Sequence, residues 1–315
     1  MKTIKYSSLL LTFLVILSAS TKNIAQQGSS EKCKISSSSF VTSGGSETVT
    51  YTYNAKNELL KEINSDGSSV MYTYDSNGKI ISKTETKNRG TTLFNYNYDN
   101  NRLEKEFFTI DSVNYSTAYA YDAKGNLLSL SMTSDAKAYP KHDVYSFADY
   151  IGANPKTVFL VQTAASGEAT KSKHTYEYDA NGNILKDIAY DFSIATNAYV
   201  ETCKGEYTYD ATSKSVMQFT AIKKIVSPTV VFQTGLVYYG GLNNFITHET
   251  NYNKCKNGWA KISEVVRDKT AATKGYASTW ITTTTNYHVG ADCSVTVSKW
   301  GNGKTSSGFI LNDCK

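Results

Sequence analysis

The sequence predicts an all-β fold: an antiparallel meander of tandem Tyr-rich β-hairpins, curled or closed into a barrel-like sheet. Three observations carry this expectation. A Tyr-x-Tyr pair followed by a turn-forming Asp or Asn recurs along the chain. The composition suits strands, with 24 tyrosines and only 3 prolines in 315 residues. Apolar side chains also fall on one face of each expected hairpin.

The chain opens with Lys2 and Lys5, then an apolar run from Leu9 to Leu17 too short to cross a bilayer as a helix, then small residues up to Ala25. That layout predicts a signal peptide over residues 1–25. Its removal takes away Lys2, Lys5 and Lys22 and no acid, so most of the formal charge of +5 belongs to the leader. The remaining chain is close to neutral and gives no support to a nucleic-acid partner. No later segment is apolar enough for a helical span, and no stable membrane span is expected.

Residues 26–250 carry the repeats. YTYNAKNELL from Tyr51, YTYDSNGKII from Tyr72, YNYDNNRLEK from Tyr96, YAYDAKGNLL from Tyr119, YEYDANGNIL from Tyr176 and YTYDATSKSV from Tyr207 are variants of one unit. VYYGGLNNFI, with Tyr239, is a degenerate copy, and VYSFADY at Tyr145 a weaker one. Tyr-x-Tyr puts both rings on one face, since strand side chains alternate. Asp-x-x-Gly is turn chemistry: Asp accepts backbone N–H bonds, and Gly takes the left-handed conformation. With Asp75 to Gly78 as the loop, Asp75 pairs with Lys79 and Tyr74 faces Ile80. The same offset matches Tyr53 with Leu59, Tyr121 with Leu127, Tyr178 with Ile184 and Tyr239 with Phe245. Around Asn100-Asn101 it shortens by one, as a two-residue type I′ turn requires, and Tyr98 faces Leu103. Strict alternation then assigns Thr52, Glu62, Thr73, Lys83, Glu85, Asn97, Glu177 and Asp187 to the opposite, wetted face. It puts Lys61 and Lys186 on the tyrosine face.

These motifs resemble YD repeats (Rhs-type repeats), whose hairpins build spiral β shells in large bacterial surface and toxin proteins. The resemblance covers about residues 50–134 and 174–216. The chain is shorter than those toxins and has no self-cleaving core motif or toxin tail. It is also similar to small exported porin-like β proteins of unknown function from Gram-negative bacteria, which share Tyr-x-Tyr and Asn-Asn turns such as Asn243-Asn244. The resemblance implies a fold and no activity.

Residues 251–315 hold Trp259, Trp280, Trp300, three of the five cysteines and a threonine run at Thr282 to Thr285. Turns at Lys256-Asn257-Gly258 and Gly301-Asn302-Gly303 mark them as strands continuing the same sheet. The cysteines, Cys33, Cys203, Cys255, Cys293 and Cys314, have no zinc spacing and suit disulfides in an exported chain. An even meander, of about 14–16 strands at typical lengths, would close with its first and last strands side by side. Cys33 would then meet Cys314, Cys255 would bridge Cys293 across successive turns, and Cys203 would be the spare thiol.

No catalytic constellation stands out. His142, His174, His248 and His288 lack metal-ligand spacing, so no metal or other cofactor is expected. No nucleophile elbow, Walker loop or dinucleotide fingerprint occurs. The Asp residues are accounted for by turns, the one at Asp179 included. Trp259, Trp280 and Trp300 are the candidate binding residues, as flat rings on which a glycan could stack. The leading expectation is an exported non-enzymatic module, at the cell surface or in the periplasm, with a glycan or protein surface as partner. The alternatives are an outer-membrane β-barrel and a secreted glycan-active hydrolase. Detergent-free solubility separates the first alternative, and a turnover screen the second.

Overall fold

The structure is a computed structural model that describes residues 34–42, 45–88, 90–136, 142–164, 166–215, 243–256, 258–273, 275–290, 293–298 and 301–312. The described residues form strands and turns without a helix. The first nine strands are β1 (Lys34–Thr42), β2 (Gly45–Tyr53), β3 (Leu59–Asn64), β4 (Ser69–Tyr74), β5 (Ile80–Lys87), β6 (Gly90–Asp99), β7 (Arg102–Ile110), β8 (Val113–Tyr121) and β9 (Leu127–Ser134). Next come β10 (His142–Ile151), β11 (Asn154–Thr163), β12 (Ala169–Tyr178), β13 (Ile184–Ser193) and β14 (Ala198–Lys214). The last five are β15 (Asn244–Cys255), β16 (Gly258–Thr273), β17 (Tyr276–Val289), β18 (Val295–Val297) and β19 (Gly303–Asn312).

Each strand pairs antiparallel with its successor as far as β17, which then pairs with β19, and β19 returns to β1. The short β18 hangs on the end of β17 outside this ring. The 19 strands therefore close an 18-strand barrel. The count is even, as closure with antiparallel end strands requires. It exceeds the expected 14–16 because tight turns leave few residues in loops. Closure pairs Lys34 with Asn312. Cys33 and Cys314 themselves lie outside the described residues, as do residues 1–33, where the signal peptide was expected.

The repeat hairpins have the expected register. Tyr53 pairs with Leu59, Tyr74 with Ile80, Tyr98 with Leu103, Tyr121 with Leu127 and Tyr178 with Ile184. In the turn after β4, Asp75 Oδ1 accepts the N–H groups of Asn77 at 2.8 Å and Lys79 at 2.9 Å, and Gly78 sits at φ 76°. Asn100 and Asn101 both have positive φ, as a type I′ turn demands. Asp111 and Ser112 do the same between β7 and β8. Tyr239 lies outside the described residues, so its pairing with Phe245 does too. Asn243-Asn244 is not a hairpin turn: Asn244 opens β15, and both asparagines bind the turn after β12. Asn243 Nδ2 donates to the Asn181 carbonyl at 3.0 Å, and Asn244 N–H donates to Asn183 Oδ1 at 2.9 Å.

One expectation fails in an instructive way. Beyond each turn a single residue bulges out: Tyr74 pairs with Ile80, but Thr73 pairs with Ser82, leaving Ile81 over. The same shift follows Leu59, Leu103, Leu127 and Ile184. A bulge adds one residue and inverts the side-chain alternation after it. Hence Glu62, Lys83, Glu85 and Asp187 share the inner, tyrosine face, opposite Tyr51, Tyr72, Val70 and Tyr176. Lys61 and Lys186 point outward, opposite Thr52 and Glu177. The assignments made by strict alternation are reversed for these six residues.

The second tyrosine of each pair also ties its hairpin to the one before. Tyr53 donates its hydroxyl to the Ile35 carbonyl at 2.9 Å, Tyr74 to Leu59 at 2.7 Å, and Tyr98 to Ile80 at 2.9 Å. Tyr178 donates to Pro155 and Tyr209 to Ile184, each at 2.7 Å. Tyr150 donates to Leu127 in the same way. This makes Tyr150, not Tyr145, the counterpart of the repeat tyrosine in β10. The acceptor in four of these contacts is the aliphatic residue that opens the preceding repeat's second strand, so ring and carbonyl step along the sheet together. At Tyr121 the hydroxyl has no partner; the Arg102 guanidinium lies over its ring instead, 5.7 Å from the centroid.

The core is the inner wall. Leu59, Tyr72, Ile80, Phe94, Tyr96, Leu103, Phe108, Tyr119, Leu127, Tyr176, Ile184, Phe245, Trp280 and Phe309 belong to one buried cluster that runs around the barrel. A round barrel of about 16–18 strands leaves an aqueous channel. Residues bordering open water could not be buried as these are, so over these positions the lumen is filled by side chains. The outer wall of β2–β9 is rich in hydroxyls, with Thr50, Thr52, Thr73, Thr84, Thr91, Ser116, Ser129 and Thr133 exposed or half-buried.

Candidate functional site

From β11 to β17 the outer wall changes character. Strand register sets Phe159 opposite Lys173, Lys173 opposite Tyr190, and Tyr190 opposite Glu201. Glu201 reaches the Lys254 ammonium at 2.8 Å, and Lys254 lies opposite Trp259. One rung thus crosses β11 to β16 as alternating rings and charges. A neighbouring rung holds Lys171, Phe192 and Tyr199, with the two rings edge-to-face at 5.3 Å. Lysines cap the rings: Lys173 is 4.2 Å from the Tyr190 centroid, Lys171 5.3 Å from Phe192, Lys204 4.2 Å from Tyr252, and Lys254 4.6 Å from Trp259. Further round, Lys261 lies 5.5 Å from Tyr287. Such contacts are worth about 0.5–1 kcal/mol each at exposed sites. They hold rings and ammonium groups half-exposed in fixed positions.

The lysines of this wall are not equivalent. Lys186, Lys204, Lys254 and Lys261 each lie within 4 Å of a carboxylate, on Glu177, Glu206, Glu201 and Glu264. Lys171 and Lys173 have no carboxylate at ion-pair distance among the described residues. The Phe159–Tyr190–Phe192–Tyr199 patch therefore carries two uncompensated positive charges.

Inside the barrel, two polar groups interrupt the core. Around β3–β7, the Lys83 ammonium is fully buried, 2.7 Å from Glu85 and 3.9 Å from the Phe94 centroid. Tyr72 donates to Glu62 at 2.6 Å. Glu106 is fully buried too. Burial pushes its pKa up to about 8, against the pull of Lys83 and the nearby Tyr96 hydroxyl. Around β12–β16, a pocket of about 260 Å³ is bordered by His174, Asp187, Cys203, Gly205, Tyr207, Asn251 and Ser263. His174 Nδ1 lies 2.9 Å from Asp187, and the buried Arg267 is 3.0 Å from Glu249. Gly205 is needed where it stands, since a Cβ there would meet the Tyr207 hydroxyl at 2.5 Å.

This pocket has no assembled nucleophile. Burial pushes the Cys203 thiol up, and Asp191 and Asp187 add to the shift, so it stays protonated at neutral pH. Its hydrogen bond goes to Asn253, and the Ser263 hydroxyl is engaged by Asn251. Neither is hydrogen-bonded to His174. Among the described residues, no three His, Cys, Asp or Glu side chains are close enough to share a metal ion. The Asp179 turn is an Asx turn, its Oδ1 accepting from Asn181 and Asn183, each at 2.8 Å.

The candidate tryptophans part company. Trp259 lies on the outer wall within the ring-and-lysine rung. Trp280 is buried at 2% exposure, stacked on Phe309 and edge-on to Phe245, so it is a core residue and not a binding one. Its strand position alternates inward, which a loosened repeat pattern hides. Trp300 lies outside the described residues. Sequence reasoning missed Tyr190, Phe192, Tyr199 and Tyr252 as surface rings; Tyr190 and Tyr252 pair with lysines of neighbouring strands, and Phe192 and Tyr199 pair with each other. Cys255 and Cys293 are brought together as thiols, and their mutual hydrogen bond pushes the Cys255 pKa up. Cys203 pairs with Asn253, two residues before Cys255, and is a free thiol.

No family model and no curated protein matches the chain. Among solved structures it is similar to a porin-like protein from Bacteroides uniformis, at 11% identity and a TM-score of 0.44, over 88% of this chain and 98% of that one. A porin-like protein from Bacteroides vulgatus gives 12% identity and a TM-score of 0.43 over the same shares. The Photorhabdus luminescens Tc holotoxin pore matches 77% of this chain and 14% of its own, at 14% identity and a TM-score of 0.27.

Proposed function

We propose that this is an exported, water-soluble β-barrel of the YD-repeat kind that acts as a non-enzymatic binding module at the cell surface or in the periplasm. The observation that carries the reading is the polarity of the wall. The tyrosines, phenylalanines and leucines of the core cluster pack inward, while the outside mixes hydroxyls and charges with scattered apolar side chains such as Leu60, Met71, Leu93 and Leu128. A barrel in lipid needs the reverse, an outward apolar band about 25 Å tall. Lys61, Lys105 and Lys186 point outward, and a basic residue facing lipid near the midplane costs about 2–4 kcal/mol. The filled lumen argues equally against conduction. What remains is a rigid, hydroxyl-coated shell whose distinctive outer region is the aromatic and lysine wall of β11–β17.

The test is biochemical. The chain without residues 1–25 should be monodisperse in detergent-free buffer, stay in the aqueous fraction on flotation with vesicles, and give no conductance in planar bilayers. A requirement for detergent, or ion-conducting steps, would refute the soluble-module reading.

A further inference from the structure

We propose that the outer wall of β11–β14 is a binding site for an acidic polysaccharide, its sugar rings on Phe159, Tyr190 and Tyr199 and its carboxylate or sulfate groups on Lys171 and Lys173. The proposal rests on the binding-module reading and names its ligand class.

Four features favour this occupant. The rings are half-exposed on a flat sheet, where an aromatic face buries sugar C–H groups at little cost in side-chain entropy. Residues within a rung step from strand to strand at about 4.8 Å, a regular step suited to a repeating polymer. Lys171 and Lys173 cap rings of this wall with no carboxylate at ion-pair distance among the described residues. By contrast Lys204, Lys254 and Lys261, which cap Tyr252, Trp259 and Tyr287 on β15–β17, are each neutralised by a glutamate. Lys61 and Lys105 on the β2–β9 wall also lack a carboxylate at ion-pair distance among the described residues, Lys105 lying 5.9 Å from the Phe107 centroid. On β11–β14 such charge coincides with the densest rings, and charge complementarity selects an anion. The other outer wall, of β2–β9, offers hydroxyls with few rings and serves as an internal control surface.

The experiment uses the chain without residues 1–25 and three probes at low and moderate salt. Polygalacturonate is the acidic glycan, its methyl ester the uncharged counterpart, and poly-glutamate the acidic polypeptide. Vesicles containing phosphatidylserine form a fourth arm. The expected result is binding of polygalacturonate that weakens with salt, with at least tenfold weaker binding of the ester, of poly-glutamate and of the vesicles. Lys171→Gln with Lys173→Gln should weaken polygalacturonate binding at least tenfold, and Tyr190→Ser should do so at unchanged salt dependence. Lys61→Gln with Lys105→Gln, the same charge change on the hydroxyl wall, should leave binding as it was. Equal binding of poly-glutamate or vesicles overturns the glycan assignment. Binding that survives the β12 and β13 variants overturns the site while leaving the module reading intact. Failure of polygalacturonate to bind overturns the ligand class, and a different glycan found on a broad array would show that the module reading outlives it.

Discussion

Glu106 offers a sharp test of the filled lumen. Its carboxyl is fully buried beside the Tyr96 hydroxyl and faced by Lys83, Glu85 and Tyr119. Its pKa rises from the ordinary 4.5 to about 8. The folded chain then holds a proton that the unfolded chain releases between those values. The stabilisation from this proton is complete below about pH 4.5 and is lost as pH rises through about 8. At about 1.4 kcal/mol per pH unit, a rise of about 3.5 is on the order of 5 kcal/mol. Glu106→Gln keeps the shape and removes the titration. In urea unfolding from pH 4.5 to 8.5, wild type should lose stability across the window relative to the Glu106→Gln variant. The variant should be the more stable of the two at pH 8.5. The histidines are common to both proteins and cancel in the difference. Parallel stability curves would mean that water reaches Glu106 and that the lumen is open there.

Four further outcomes follow from particular contacts. Tyr74→Phe should cost about 1 kcal/mol by orphaning the Leu59 carbonyl, whereas Tyr121→Phe, whose hydroxyl has no partner, should be neutral; denaturation midpoints decide between them. Gly182→Val should destabilise by about 1 kcal/mol or more, read from denaturation midpoints, since the backbone there has φ 77° and a Cβ would meet Asn154 Nδ2 at 2.9 Å. Trp280→Ala should cost about 3–5 kcal/mol, while Trp259→Ala on the outer wall should lower the melting temperature little. Non-reducing peptide mapping of the air-oxidised chain should find Cys255 joined to Cys293 and Cys203 alkylatable; a disulfide at Cys203 would refute that pairing.

How much of this was legible in the sequence depends on the range of the interaction that decides each feature. Asp75, Gly78 and the Asn100-Asn101 pair set their turns through contacts a few residues long, so hairpin existence and the Tyr74–Ile80 register could be read directly. Closure followed from counting one-faced strands. The faces of Lys83 and Glu62 could not be read by alternation alone, because a bulged residue such as Ile81 is invisible until the hydrogen-bond ladder is known. Trp280 and Trp259 looked alike for a related reason: once the Tyr-x-Tyr marker lapses after residue 250, nothing local fixes which parity faces inward. The ring-and-lysine wall joins residues from seven strands, β11–β17, and no local motif contains it.

The bulge also accounts for why a chain with so much inward aromatic surface carries charges inside. Each repeat places an aliphatic residue such as Ile80 against its tyrosine, and the bulge then hands the inner face to the third and fifth residues after that aliphatic one. In β5 those are Lys83 and Glu85, and they sit beside Glu62 and Glu106 from β3 and β7. Two further carboxyls thus crowd the buried Lys83, whose partner Glu85 also reaches the exposed Lys87 at 3.1 Å. Burial raises the pKa of Glu62 as well as that of Glu106, so protonation rather than pairing relieves the excess negative charge. A core built this way is most stable in mildly acidic surroundings and loosens toward alkaline pH, in the β3–β7 arc before the Glu249–Arg267 arc, whose charges neutralise each other. Hydrogen exchange followed strand by strand at pH 6 and pH 9 should show that order. Uniform loosening around the ring would mean that the buried acids do not govern the stability of their own arc.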